Sequence, residues 1–470
     1  MKKETLILWL TSFLTPLALI FYFSPNNNHY LAWAAFIPVW FSVIRASSDF
    51  YAFLLSFSSF YAAYFFSLDW MRSLFGWQAW IFYAIFAFWP ALHSLALKKF
   101  FEKAQKTFFI WLSVIGLSAL YAGLEYFRSE IWFLNCPWLG LGYAQHSNPA
   151  IYQSLSFWGV FGLTFFIIFF NLSLFSVLAK RIFSPFLTAA VILIILNFWG
   201  EKRLLSDIKG EPIKALLIQD ESYSFDKLLS MSKNRKDEDI IIWPENSFYI
   251  NEKEEYIRKA EEFRKAFPKK SFYALLPMGI KKEINGKIKR ENFAALLNTA
   301  NGEIQIYEKM HPVPFVEKGL KKGPYPYPLN YKDKKIGVQI CYDLNFQNGS
   351  SALAWQKAGI ILAPTNDPIE WSEKQQRQHA DMSSARAVEN GVWILRPATS
   401  GISQVIDPLG RVKAEIKSAE SSVLSAQAEI VKTPDTFYSK YGRFIPFLLL
   451  VFSCIVLIFA FLPFAKKDIV

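Results

Sequence analysis

K-I-G-V-Q-I-C-Y-D-L-N-F, Lys335 to Phe346, is the stretch from which the rest of the chain can be read. Lys335 to Ile340 alternates and is rich in β-branched residues, which predicts a short buried strand; it ends on Cys341, followed at once by the polar Tyr342 and Asp343. A lone free cysteine is most often a small core residue, so Cys341 by itself implies no chemistry. Its company does. Upstream, the apolar run Ile240 to Trp243 leads into Pro244-Glu245-Asn246-Ser247, a second strand that delivers a carboxylate at its carboxyl end. Between the two lies Y-E-K-M-H-P-V-P-F-V-E, residues 307–317, in which Lys309 precedes a proline-stiffened loop.

A glutamate, a lysine and a cysteine brought together supply a base, an oxyanion partner and a nucleophile for acyl transfer. Their order and flanks resemble the nitrilase superfamily, and within it the membrane branch, the apolipoprotein N-acyltransferase family. The resemblance rests on W-P-E-N at 243–246, the 307–317 segment, I-C-Y-D at 340–343, T-N-D-P-I-E-W at 365–371 and A-R-A-V-E-N-G-V-W-I-L-R-P-A-T-S-G-I-S at 385–403. It implies an αββα sandwich with Glu245 as base, Lys309 as oxyanion partner and Cys341 as nucleophile, and no metal or cofactor. It also pairs Glu317 with a second glutamate that the family keeps near the site. Tyr342 and Asp343 follow the nucleophile as supporting residues, and Phe315, Trp355 and Trp371 are candidates for an acyl-chain groove or for core. The chain departs from the family at Val316, where a glycine is usual, at Asp343, where a glutamate is usual, and after Gln219, where a tryptophan is missing.

Around this centre the composition is that of a membrane protein. Of 470 residues, 53% are hydrophobic and 18% aromatic, well above the soluble norm. The formal net charge of +12 comes without any nucleic-acid recognition motif, so a membrane surface accounts for it better. The three cysteines, Cys136, Cys341 and Cys454, have no spacing that suggests a disulfide framework or a zinc site. Apolar runs long enough to cross a bilayer, about 17–25 residues each, are drawn near 5–23, 30–46, 50–68, 79–97, 107–125, 158–179, 183–200 and 444–464. The resulting organisation is a membrane domain over 1–200, a catalytic α/β domain over 201–443, and a last span with a tail over 444–470. Lys and Arg gather in alternate short loops (Arg45; Lys98, Lys99, Lys103 and Lys106; Lys180 and Arg181), which places both termini in the cytoplasm and the catalytic domain outside. Lys466 and Lys467 agree with that orientation.

In the catalytic segment the expected strands are 215–219, 240–243, 272–276, 293–297, 336–340, 360–363, 392–395 and 403–406, with helices over 252–266, 351–358 and 372–389. Lys281 and Lys282 read as a solvated turn, and Arg386, Glu389 and Arg396 as an ion-pair network beneath the sheet. Tyr307 to Pro328 reads as a lid hinged at Gly319 and Gly323. The resemblance implies a bacterial inner-membrane enzyme, expected as a monomer. It would take an acyl chain from a phosphatidylethanolamine-like phospholipid, hold it as a thioester, and pass it to the α-amine of the diacylglyceryl cysteine of apolipoproteins. The rival readings are a membrane-tethered amidase acting on a small soluble amide and a catalytically dead lipoprotein-binding scaffold.

Overall fold

The computed structural model describes residues 3–461 apart from 25–27, 104–105, 208, 269 and 285–286. Lys466, Lys467 and the expected end of the last span lie outside the described residues. The chain forms two compact units, one of residues 1–154, 158–203 and 444–470, the other of 155–157 and 204–443.

The first unit is helical. Among the described residues, 7 helices are long and apolar enough to cross a membrane: Lys3–Tyr22, Asp49–Ser67, Gln78–Lys103, Thr107–Ile131, Leu155–Lys180, Ser184–Leu204 and Phe437–Phe461. The run expected at 30–46 is shorter. It forms a 3-10 turn, His29–Trp33, and then a separate helix, Ile37–Ile44, with Pro38 in its first turn. Proline is accommodated at a helix start but cannot carry a helix through from its N-terminal side, so the apolar run breaks there. Two ionisable groups of this unit are buried and hydrogen-bonded: Glu125 accepts from Thr164 Oγ1 (2.6 Å) and from the Leu141 N–H (3.0 Å), and His93 Nε2 lies 3.0 Å from the Leu117 carbonyl.

The second unit holds two sheets. Its strands in chain order are β1 (Gly210–Gln219), β2 (Ile240–Ile242), β3 (Tyr249–Ile250), β4 (Tyr273–Ile284), β5 (Lys287–Asn298), β6 (Ile304–Glu308), β7 (Leu329–Tyr331), β8 (Lys334–Val338), β9 (Ile360–Leu362), β10 (Trp393–Arg396), β11 (Ser403–Ile406), β12 (Val412–Ile416) and β13 (Ser422–Val431). One sheet has the order β13-β1-β2-β4-β5-β6 with β3 beside β4, the other β12-β11-β10-β9-β8-β7. In both, the central strands β1-β2-β4 and β8-β9-β10 run parallel.

Alternation along the strands divides the apolar residues between two faces. Ile240 and Ile242 join Leu217, Val338 and Leu362 in a core between the sheets. Ile241 points the other way, with Trp243 and Leu276, into a cluster with Leu228 and Phe263 of the helices Phe225–Ser232 and Lys253–Lys265. On the far side Ile361 and Ile394 pack on Ala354 and Ala387 of the helices Gln347–Trp355 and Glu373–Asn390. Helix, sheet, sheet and helix are thus stacked as an αββα sandwich. Lys281 and Lys282 are not in a turn. They belong to β4, in a ladder that runs from Tyr273↔Asn298 out to Ile284↔Lys287.

Candidate active site

The parallel strands end on one side of the sandwich, the usual place for a site in sheets of this kind. β2 leads through Trp243 and Pro244 to Glu245, β6 leads directly to Lys309, and β8 leads through Gln339 and Ile340 to Cys341. Cys341 opens a 3-10 turn, Cys341–Asn345, with φ of 53°, left-handed backbone that a non-glycine residue adopts only under tertiary constraint. Part of that constraint is the Cys341 N–H, which donates to the Pro364 carbonyl at 2.8 Å. A second comes from Asp343, whose carboxylate accepts from the N–H groups of Ile340 (3.2 Å), Met310 (3.1 Å) and His311 (2.6 Å) and from the Tyr307 hydroxyl (3.0 Å). Asp343 therefore ties the Cys341 turn to the strand end that carries Lys309.

Lys309 Nζ lies 2.8 Å from Glu245 Oε1 and 2.9 Å from Glu317 Oε1. Glu317 is held in turn by the Val313 N–H, which donates to its Oε2 at 2.7 Å. Burial alone would lower the Lys309 ammonium, but Glu245 and Glu317 outweigh it and keep the group charged well above its ordinary value. Burial raises the Glu245 carboxyl, against the pull of Lys309 and of a hydrogen bond with the Cys341 thiol. Burial likewise pushes the Cys341 thiol well up, with the Glu245 charge adding to the effect. Both effects favour the neutral form of the Cys341 thiol, which lies in hydrogen-bond contact with the Glu245 carboxyl. A thiol in this state can act as a nucleophile only if its proton passes to an adjacent acceptor, and the Glu245 carboxyl is placed to be one.

These groups face a cavity of about 580 Å³ that also takes in Asn246, Tyr249, Arg290, Asn292, Asn366 and Trp371. That volume is in the range of small-molecule sites. Of the aromatic candidates, Trp371 lines the cavity, whereas Phe315 is half exposed with φ of 66° and Trp355 is exposed, with the Arg443 guanidinium 5.5 Å above its ring. Tyr342 is buried against Phe346, ring centroids 5.1 Å apart.

The structure brings further residues to the site that the sequence analysis had not placed there. Asn292 donates to Glu245 Oε1 at 2.6 Å, and the Asn366 N–H donates to Glu245 Oε2 at 2.8 Å, so both oxygens of the Glu245 carboxyl are oriented. Asp367 binds His379 Nδ1 (2.8 Å) and Arg396 Nη2 (2.6 Å); burial would raise its carboxyl, but these two partners hold it below the ordinary range. Arg396 therefore belongs to the site's foundation, while Arg386 and Glu389 pair separately at 2.7 Å. The T-N-D segment was a signal for Asn366 and Asp367, but nothing local marks Asn292. The ligand-type atoms of Cys341, Asp367 and His379 lie within 4.8 Å of one another. With a guanidinium on Asp367, the local charge suits an ion pair better than a metal.

The loop expected to be a lid is stapled to β5. The Arg290 N–H donates to the Gly319 carbonyl (3.2 Å), the Lys321 N–H to the Arg290 carbonyl (2.9 Å), and the Gly323 N–H to the Lys309 carbonyl (2.7 Å). Gly323 is needed for close approach: a Cβ there would come 2.3 Å from the Glu308 carbonyl oxygen.

Two family models match the chain in succession, the Apolipoprotein N-acyltransferase N-terminal domain over residues 16–173 and Carbon-nitrogen hydrolase over 215–433. The chain belongs to the apolipoprotein N-acyltransferase family. Its relatives include the apolipoprotein N-acyltransferase of Geobacter metallireducens, 25% identical over 93% of this chain and 92% of that one. That of Rickettsia bellii is 28% identical over 70% and 72%. Among solved structures the chain is similar to Saccharomyces cerevisiae Nit3, a member of branch 10 of the nitrilase superfamily, at 19% identity, with 48% of this chain and 94% of that chain covered and a TM-score of 0.39. As a member of the apolipoprotein N-acyltransferase family the chain is a bacterial membrane acyltransferase with a nitrilase-type sandwich.

Proposed function

We propose that the protein moves a fatty acyl chain from a membrane phospholipid to the free α-amine of the diacylglyceryl cysteine of apolipoproteins, through a thioester on Cys341. The observation that carries this reading is the meeting of the buried Cys341, Glu245 and Lys309 at one cavity in a chain whose first unit is built of membrane-length helices. Both proposed substrates are lipid-anchored, which gives a reason for joining a sandwich of this kind to such a unit. A small soluble amide gives none.

In the first half-reaction the Cys341 thiol gives its proton to Glu245 as sulfur attacks the ester carbonyl. The oxyanion forms beside the Lys309 ammonium. Collapse breaks the ester C–O bond, and the departing lysophospholipid alkoxide takes the proton back from Glu245. In the second, the acceptor amine attacks the thioester carbonyl and loses a proton to Glu245. The C–S bond breaks, the amide is formed, and the Cys341 sulfur recovers its proton. Glu317 holds the ammonium in place throughout, and Asn292 and the Asn366 N–H aim the carboxylate. The catalytic unit is assigned to the outer face of the cytoplasmic membrane, and the working unit is one chain.

The test is purified protein given labelled phospholipid and a diacylglyceryl-cysteine peptide. The expected product is the N-acyl peptide, formed faster than free fatty acid. Release of fatty acid alone, with the peptide amine untouched, would favour a tethered hydrolase instead.

A further inference from the structure

The cavity has three cations, and they are not equivalent. Lys309 is neutralised between Glu245 and Glu317. Lys281 and Arg290 are partners in the β4–β5 ladder and both line the cavity. Among the described residues no carboxylate pairs with the Arg290 guanidinium, and its Nε is buried without a hydrogen-bond partner. Its backbone is fixed on both sides, by the Gly319 carbonyl and the Lys321 N–H, so its side chain starts from an anchored strand residue. A buried, unsatisfied donor is costly, and a charged one more so, which makes an anion its natural occupant.

We propose that Arg290, with Lys281 beside it, is an anion subsite of the catalytic cavity and takes the phosphodiester of the acyl donor. This rests on the acyl-transfer reading above and adds to it the group by which the donor is selected. A guanidinium fork matches phosphate oxygens two at a time. In a glycerophospholipid the phosphate and the acyl esters hang on one glycerol, so a carbonyl at Cys341 brings the charge into the same cavity. An acidic side chain of the acceptor peptide is the other anion that could enter, but its position varies with sequence and it lies beyond the reacting amine.

The experiment measures single-turnover acylation of Cys341 in the full chain by dioleoylphosphatidylethanolamine and by dioleoylglycerol, which has the same esters and no phosphate. The readout is the ratio of the two kcat/KM values. In Arg290→Gln the ratio should fall about tenfold or more, the scale of a lost charge-assisted hydrogen bond, and Arg290→Lys should recover much of it. Should the glutamine variant not fold, Lys281→Gln reads the same ratio, with a fall of about two- to threefold expected. An unchanged ratio overturns the subsite. So does a defect confined to transfer from preformed thioester onto acceptor peptides with acidic residues, which would assign Arg290 to the acceptor. Wild-type protein that draws acyl groups from neither lipid overturns the acyl-transfer reading itself, and with it the subsite.

Discussion

Glu245 has its two oxygens held by four donors from different parts of the sequence: Lys309, Asn292, the Asn366 N–H and the Cys341 thiol. Burial is the largest influence on it and raises its carboxyl above the ordinary 4.5. A raised acid loses its charge at a higher pH than a free glutamate, so Cys341 reactivity should fall on acidification through an apparent pKa above 4.5 that belongs to the coupled site. Rates of Cys341 alkylation by a small reagent across pH would check this. Glu245→Gln should abolish that limb and slow the reaction at neutral pH; an unaltered profile in the variant would mean that another group is the base. Asp343 makes a different prediction. Its carboxylate accepts from donors on two segments, and Asn can offer only one oxygen, so Asp343→Asn should cost about 2–3 kcal/mol in unfolding of the catalytic unit and should slow acylation as the Lys309 segment loosens. At this scale Glu245, Lys309 and Cys341 were legible because each follows an apolar run and sits in a recognisable motif. Asn292 and Arg290 were not, since each acquires its role from groups distant in sequence that the sheet brings beside it.

Among the elements, the strands of the sandwich centre announced themselves by short runs of Ile, Leu and Val, as in β2, β9 and β10. The edges did not. β12 is mostly exposed, so burial imposes little pattern on it, and the outer half of the β4–β5 hairpin is lysine-rich and is held by its backbone ladder. That is why Lys281 read as a turn. The segment 307–328, expected to be a hinged lid, opens on the last two residues of β6 and continues as a loop in which the roles of the glycines divide. Gly319 has φ of 78° and serves as left-handed backbone, while Gly323 lets the loop reach the Glu308 carbonyl. Gly323→Ala should therefore push the end of β6 and displace Lys309, slowing acylation markedly. Gly319→Ala should cost about 1–2 kcal/mol of backbone strain with a smaller effect on rate. Unfolding and single-turnover acylation measured on both variants check the difference, and equal losses of rate would contradict it.

For the molecule as a whole, membership of the family accounts for both units, but the number of crossings depends on the segment His29–Ile44, which is shorter than the seven membrane-length helices. If it crosses, the termini share a side, as the distribution of Lys and Arg requires. Reporters fused at the two ends should then both behave as cytoplasmic, and one placed in the turn at Gly302 as external; termini on opposite sides would show that His29–Ile44 does not cross. The central claim is chemical, and it is tested most directly by incubating the full-length protein with acyl-labelled phosphatidylethanolamine in the absence of acceptor and mapping the label by mass spectrometry. The account predicts one acyl group on the Cys341 sulfur, released by hydroxylamine, absent in Cys341→Ala, and formed about a hundredfold or more slowly in Lys309→Ala, the scale of a lost oxyanion partner. Active protein that carries no label on Cys341, or a Cys341→Ala variant that still becomes acylated, would contradict it.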